Sequence, residues 1–155
     1  MTQTKHLELT VPPDTSCLSQ VRRAVAEIVG HDCFSPIQAN LITLAVDEAV
    51  ANIMEHGYRD RQQQNIEIIM NLDSMRFEVL IRDHGEVFDP RDVPDINMRE
   101  QVRVGGKGGL GIFLMRRIMD EINYTFKHGV RNELQMIKYI DENVAKIRRL
   151  SKSEE

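Results

Sequence analysis

The sequence predicts an α+β fold: a two-layer α/β sandwich whose mixed, mainly antiparallel sheet carries helices on one face. Three observations predict it. Four strand-like segments fall into two pairs joined by tight turns, as hairpins do. Two helical segments precede the first pair and a third separates the pairs. The first hairpin alternates apolar and polar residues, so one sheet face has to be covered. The element order reads β-α-α-β-β-loop-α-β-β-α, without internal repeats.

Lys5 to Val11 opens the chain as a strand with Leu7, Leu9 and Val11 on one face, and Pro12-Pro13 ends it. Asp14 or Thr15 is placed to cap a helix that runs to about Val29. Its apolar positions Leu18, Val21, Val25 and Ile28 are spaced by three and four, and Gly30 stops it. The second helix has stronger punctuation. Ser35 is the cap, Pro36 the first helical residue, and Gln38 completes a Ser-x-x-Gln capping box. It extends to about His56, with Gly57 as its stop.

Ile66, Ile68, Met70 and Leu72 then alternate on one strand, Asp73-Ser74 turns, and Met75, Phe77, Val79 and Ile81 alternate on the next. Phe88 to Gly108 has no clean period and reads as a long functional loop. Leu110 to Met119 is apolar enough for a buried helix. Glu121 to Lys127 and Glu133 to Ile140 form a second hairpin around His128-Gly129, and Asp141 is placed to cap a short basic helix.

A chain of 155 residues fits one domain, residues 1–150, with a disordered tail at 151–155. The hydrophobic share of 41% is ordinary for a globular protein. A net charge of −4 with both signs interspersed argues against nucleic acid as a direct partner. No run approaches the ~18 apolar residues of a membrane span. The start MTQTKHLELT has no apolar signal core, so a soluble cytoplasmic protein is expected. Cys17 and Cys33 read as buried free thiols.

Three segments carry the polar chemistry. In the second helix, Leu41, Leu44, Ala45, Glu48 and Asn52 share a stripe, with Val46, Ala49, Val50 and Ile53 on another side. A carboxylate there either lies at the stripe's edge and reaches water, or it sits in a cleft that supplies a partner, such as one holding a metal and a phosphate. Asp83 continues the phase of Phe77, Val79 and Ile81. It is either an ordinary polar strand end or an acceptor for a ligand amino group, with Gly85 letting a flat ring approach the backbone. Gly105-Gly106-Lys107-Gly108-Gly109-Leu110-Gly111 places five glycines in seven residues before an apolar helix. That is a flexible linker or a phosphate seat, with backbone amides and Lys107 facing an anion. It is not a Walker-type loop and follows no strand.

Taken together, Glu-x-x-x-Asn on a helix, Asp-x-Gly at a strand end and Gly-x-Gly at a helix start resemble the three boxes of the gyrase/Hsp90/histidine-kinase/MutL (GHKL) ATPase superfamily. The wording "LAVDEAVANIMEHGY", "IRDHGEVFDP" and "GGKGGLGIFLMRRIMDEI" is similar to its anti-sigma-factor serine kinase branch, over about residues 5 to 140. The resemblance implies a histidine-kinase-like ATPase fold that binds ATP and Mg²⁺. It implies Glu48 as the general base, Asn52 as the magnesium ligand, Asp83 as acceptor from the adenine amino group and Gly85 against the ring. Lys107, Gly109, Leu110 and Gly111 fall at the phosphates, and residues Phe88 to Gly108 form the ATP lid. Val87 stands where a second glycine is usual. Asn132 falls where the branch tends to carry a strand threonine, and is placed to serve as the polar partner.

The resemblance further implies a protein-serine kinase and anti-sigma factor. Its substrate would be a small anti-anti-sigma (STAS-type) protein and its second client a sigma factor, with a homodimer expected. The rival readings are a nucleotide-gated binding module that transfers no phosphate, and the ATPase half of a split histidine kinase.

Overall fold

The computed structural model describes residues 4–30, 33–56, 64–84, 110–127 and 131–141, together with Ile147, Leu150 and Ser151. The predicted Gly57 stop, the loop from Phe88 to Gly108, the His128-Gly129 turn and the tail 152–155 lie outside the described residues.

Five strands form one antiparallel sheet: β1 (Lys5–Val11), β2 (Ile66–Leu72), β3 (Arg76–Asp83), β4 (Glu121–Lys127) and β5 (Arg131–Tyr139). Their spatial order is β1-β2-β3-β5-β4, so the C-terminal hairpin adds through its second strand. Every neighbouring pair is antiparallel. Side chains alternate across a strand. In β2 and β3 that puts Ile66, Ile68, Met70, Leu72, Phe77, Val79 and Ile81 in the core, each 2% exposed or less. Three helices cover this face: α1 (Leu18–Val29), α2 (Pro36–His56) and α3 (Leu110–Ile118).

The local chemistry explains the boundaries. Asp14 accepts from the Ser16 amide at 2.9 Å and caps a single 3-10 turn, Thr15–Cys17, so α1 proper begins at Leu18. The capping box of α2 is reciprocal: the Gln38 amide donates to Ser35 Oγ at 3.1 Å, and the Ser35 amide to Gln38 Oε1 at 3.1 Å. Asp73 Oδ1 accepts from the Met75 and Arg76 amides at 2.7 and 2.9 Å. This side-chain turn lengthens the bend by one residue. Met75 therefore leaves the buried phase that its alternation suggests and is 53% exposed. β5 starts two residues before the expected Glu133, at Arg131, which brings Asn132 into the ladder opposite Asp83. Cys17 and Cys33 are free but only half-buried, packed on the edge of the core. Among the described residues no helix is long and apolar enough to cross a membrane.

Candidate functional site

α2 is the element on which the site is built. It packs against α1, α3 and β3. Ala45, Val46, Ala49, Val50 and Ile53 are buried, and they fix which way the helix faces. The stripe holding Glu48 and Asn52 is more open than the sequence pattern implies. Ile37 is 73% and Leu41 42% exposed, while Leu44, Glu48 and Asn52 are half-buried. Asp47, next to Glu48, turns toward α1 and meets the Arg22 guanidinium at 2.9 Å.

Burial pushes the Glu48 carboxyl above its ordinary value, and the like charges of Asp47 and then Glu55 push it further the same way. A carboxylate with a raised pKa holds a proton more readily, which suits a group that has to take one near neutral pH. Asn52 lies four residues on, about 6 Å along the helix axis. Its Nδ2 is buried without a hydrogen-bond partner, the one such side-chain atom among the described residues. Buried polar groups are nearly always satisfied, so an orphan beside a half-buried carboxylate points to a ligand. Rotating the amide by 180° puts its carbonyl oxygen at the same place, and that oxygen is the atom a magnesium ion takes.

The far end of β3 is built differently. Asp83 and Asn132 are 2% and 4% exposed, the two buried polar residues of the described core. They face each other in the β3–β5 register. Asn132 Nδ2 donates to Asp83 Oδ1 at 3.1 Å. On the opposite sheet face, the preceding pair in the same register, Arg82 and Glu133, closes an ion pair at 2.7 Å. The carboxylate end of the sheet is thus held in place from both faces. Asn132, the sequence candidate for a polar partner to the nucleotide, thus spends its amide on Asp83.

Of the glycine-rich run, the described part is its end. Leu110 begins α3 and Gly111 follows it inside the helix. A side chain at Gly111 would run into the Glu48 carboxylate: a Cβ there would overlap Oε2 and lie 3.0 Å from Cδ. The second helix and the start of the third therefore meet through Glu48. Gly85, Lys107 and Gly109, the remaining sequence candidates, lie outside the described residues.

Sequence reasoning singled out Glu48, Asn52, Asp83, Asn132 and Gly111 one by one as candidates. It missed two pairings among them. Counting register back from the β5 alternation would have placed Asn132 opposite Asp83. A glycine one residue inside an apolar helix was itself a sign of close packing.

The residues present fit a magnesium nucleotide on one observation, the unpartnered amide of Asn52 one turn from the Glu48 carboxylate.

Comparisons with known proteins agree with this fold. A family model described as the histidine kinase-like ATPase domain matches residues 11–138. The chain is similar to serine-protein kinase RsbW of Oceanobacillus iheyensis, at 27% identity over 146 residues, covering 92% of this chain and 91% of that protein. It is similar to RsbW of Bacillus subtilis at 25% identity over 140 residues, covering 88% and 86%. Among solved structures it resembles a chain of the SiaB–SiaC complex from Pseudomonas aeruginosa. The TM-score is 0.59 at 14% identity, covering 86% of this chain and 89% of that one, a likeness of fold.

Proposed function

Because the chain belongs to the histidine kinase-like ATPase domain family, we propose that it is an ATP-dependent protein-serine kinase acting in a partner switch. Its substrate in this reading is a small anti-anti-sigma protein. Its second client is a sigma factor, which it holds as an anti-sigma factor, and it works as a homodimer. The name of the RsbW relatives supports the serine-kinase part. The observation that carries the reading is the pair on α2: a half-buried carboxylate of raised pKa one helical turn from a buried amide without a partner.

Each residue has a task in this reaction. Asp83, steadied by Asn132, accepts from the adenine amino group and selects the base. Gly85 lies against the ring, and Lys107, Gly109 and Leu110 hold the phosphates. Asn52 offers its carbonyl oxygen to Mg²⁺, which when bound neutralises phosphate charge and orients the terminal group. Glu48 takes the proton of the incoming serine hydroxyl. As it does so, the serine oxygen bonds to the γ-phosphorus, the bond to ADP breaks, and phosphoserine and ADP result.

The test is to incubate the protein with Mg-ATP and each small anti-anti-sigma protein of the same genome, reading phosphoserine by mass spectrometry. One partner labelled on a single serine, and unlabelled by Glu48→Ala, is the expected result. Nucleotide-dependent binding of partners with no phosphoserine on any of them would replace the kinase with a nucleotide-gated binding module.

A further inference from the structure

Gly111 has an unusual position for a glycine. It lies in the first turn of α3 with right-handed backbone, so no left-handed conformation requires it. Glycine inside a helix is less favourable than alanine by roughly 1 kcal/mol. Something other than backbone freedom has to account for it. The nearest atoms that a side chain would meet all belong to Glu48: an added Cβ overlaps Oε2 and comes to 3.0 Å from Cδ and 3.4 Å from Cβ of that residue. The first contact is with the free end of a flexible side chain. An alanine would therefore be accommodated by turning the carboxylate away, and the fold would survive.

We propose that Gly111 is a positioning residue for Glu48: the missing side chain is the seat that allows the carboxylate to stand against the start of α3. The role rests on the reading of Glu48 as the base, and it differs from the phosphate contact that the family resemblance implies for this glycine. A phosphate contact would act on nucleotide affinity. A seat for the base acts on transfer. Proton abstraction needs the carboxylate within hydrogen-bond reach of the serine hydroxyl, so a displacement of about 1 Å is enough to lower the rate roughly a hundredfold. α2 and α3 thereby share one catalytic geometry, since Glu48 keeps its place only while the first turn of α3 stays docked on α2.

The experiment is a double-mutant cycle with two readouts. In the first, single-turnover phosphoserine formation and ATP affinity are measured for wild type, Gly111→Ala, Glu48→Asp and the double variant. Aspartate is shorter by one methylene and leaves room for the alanine methyl. The seat predicts that Gly111→Ala slows transfer by roughly 10-fold or more in the wild-type background and by less than about threefold beside Glu48→Asp, with ATP affinity kept throughout. The second readout is melting temperature, which needs no activity. Alanine at 111 should raise it by about 2–4 °C in a Glu48→Ala background, where its helix propensity is realised in full, and by less in the wild type.

Equal melting increments in both backgrounds would overturn the seat, whether or not any partner is phosphorylated. So would a loss of ATP affinity in Gly111→Ala that matches its loss of transfer. A wild type that labels no serine while the melting increments differ would leave the contact standing and remove the kinase reading instead.

Discussion

The two carboxylates proposed for the site sit in opposite circumstances. At the end of β3, Asp83 is buried, faces Asn132 in register and accepts its amide, with the Arg82–Glu133 pair alongside. On α2, Glu48 is only half-buried. Its surroundings raise its pKa through burial and through two neighbouring acids, and Asn52 beyond it keeps a buried nitrogen without a partner. The sheet end is completed by the protein. Among the described residues, the helix face keeps an unpartnered amide that a ligand would complete. A base-recognition group gains from being rigid before the ligand arrives, because less freedom is lost on binding. A metal-and-phosphate site cannot be satisfied in advance without filling the positions that the ion and the phosphates need.

The sharpest break between the two halves should come from Glu48. Glu48→Ala is expected to keep most ATP binding, seen by calorimetry, and to lower phosphoserine formation by about 10²–10⁴-fold. Asp83→Asn should do the reverse in kind. It replaces an acceptor with an amide at a buried position and should weaken ATP binding by about 1–3 kcal/mol, roughly 5–150-fold in affinity. Equal ATP affinity in wild type and Asp83→Asn would take Asp83 out of the site.

Stability sharpens the comparison further. Asn132→Ala strips a donor from a buried carboxylate and should cost about 1–3 kcal/mol in denaturant unfolding, before any nucleotide is added. A loss under about half a kcal/mol would mean that the sheet end does not depend on this bond.

The smallest effect concerns pH. Because the Glu48 pKa is raised in the fold, the folded protein holds this proton at pH values where the unfolded chain, near its ordinary 4.5, has released it. Stability therefore falls as pH rises from that value through the raised one, and the penalty is fully present above it. Glu48→Gln removes the penalty, so unfolding midpoints of variant and wild type should diverge as pH rises through this window and stay apart above it. Midpoints that diverge only on acidification would reverse the sign. Phosphoryl transfer should show an acid limb in the same window, lost as pH falls and Glu48 is protonated.

The sequence carried the fold well because its signals were local and redundant. The Ser35–Gln38 box, the alternation of β2 and β3 and the phase of Asp83 each rest on residues a few positions apart, and each stands in the structure. Where local chemistry competed, the pattern misled. Met75 has the right period, but the Asp73 side chain takes two amides and moves it out to solvent. Leu41 has the right period for a buried stripe, yet it stays 42% exposed. A helical wheel shows which residues share a face but cannot say what packs there. The contacts joining distant segments, Asp83 with Asn132 and Glu48 with Gly111, were beyond the reach of spacing. They depend on strand register and on how two helices dock, each settled by the whole core.

The claim that the α2 face waits for a magnesium nucleotide is tested most directly by the melting temperature of Asn52→Ala, with and without Mg-ATP. Without ligand the substitution removes a group that has no partner, so the variant should melt within about 2 °C of wild type. With Mg-ATP at about 100 times its Kd, the wild type should gain roughly 2.7 kcal/mol, about 5–11 °C. Asn52→Ala at the same concentrations should gain little beyond what ATP with EDTA provides. An unliganded Asn52→Ala that melts as low as Asn132→Ala would show that Asn52 is already satisfied within the fold. A full magnesium-dependent gain in Asn52→Ala would show that the metal is held elsewhere.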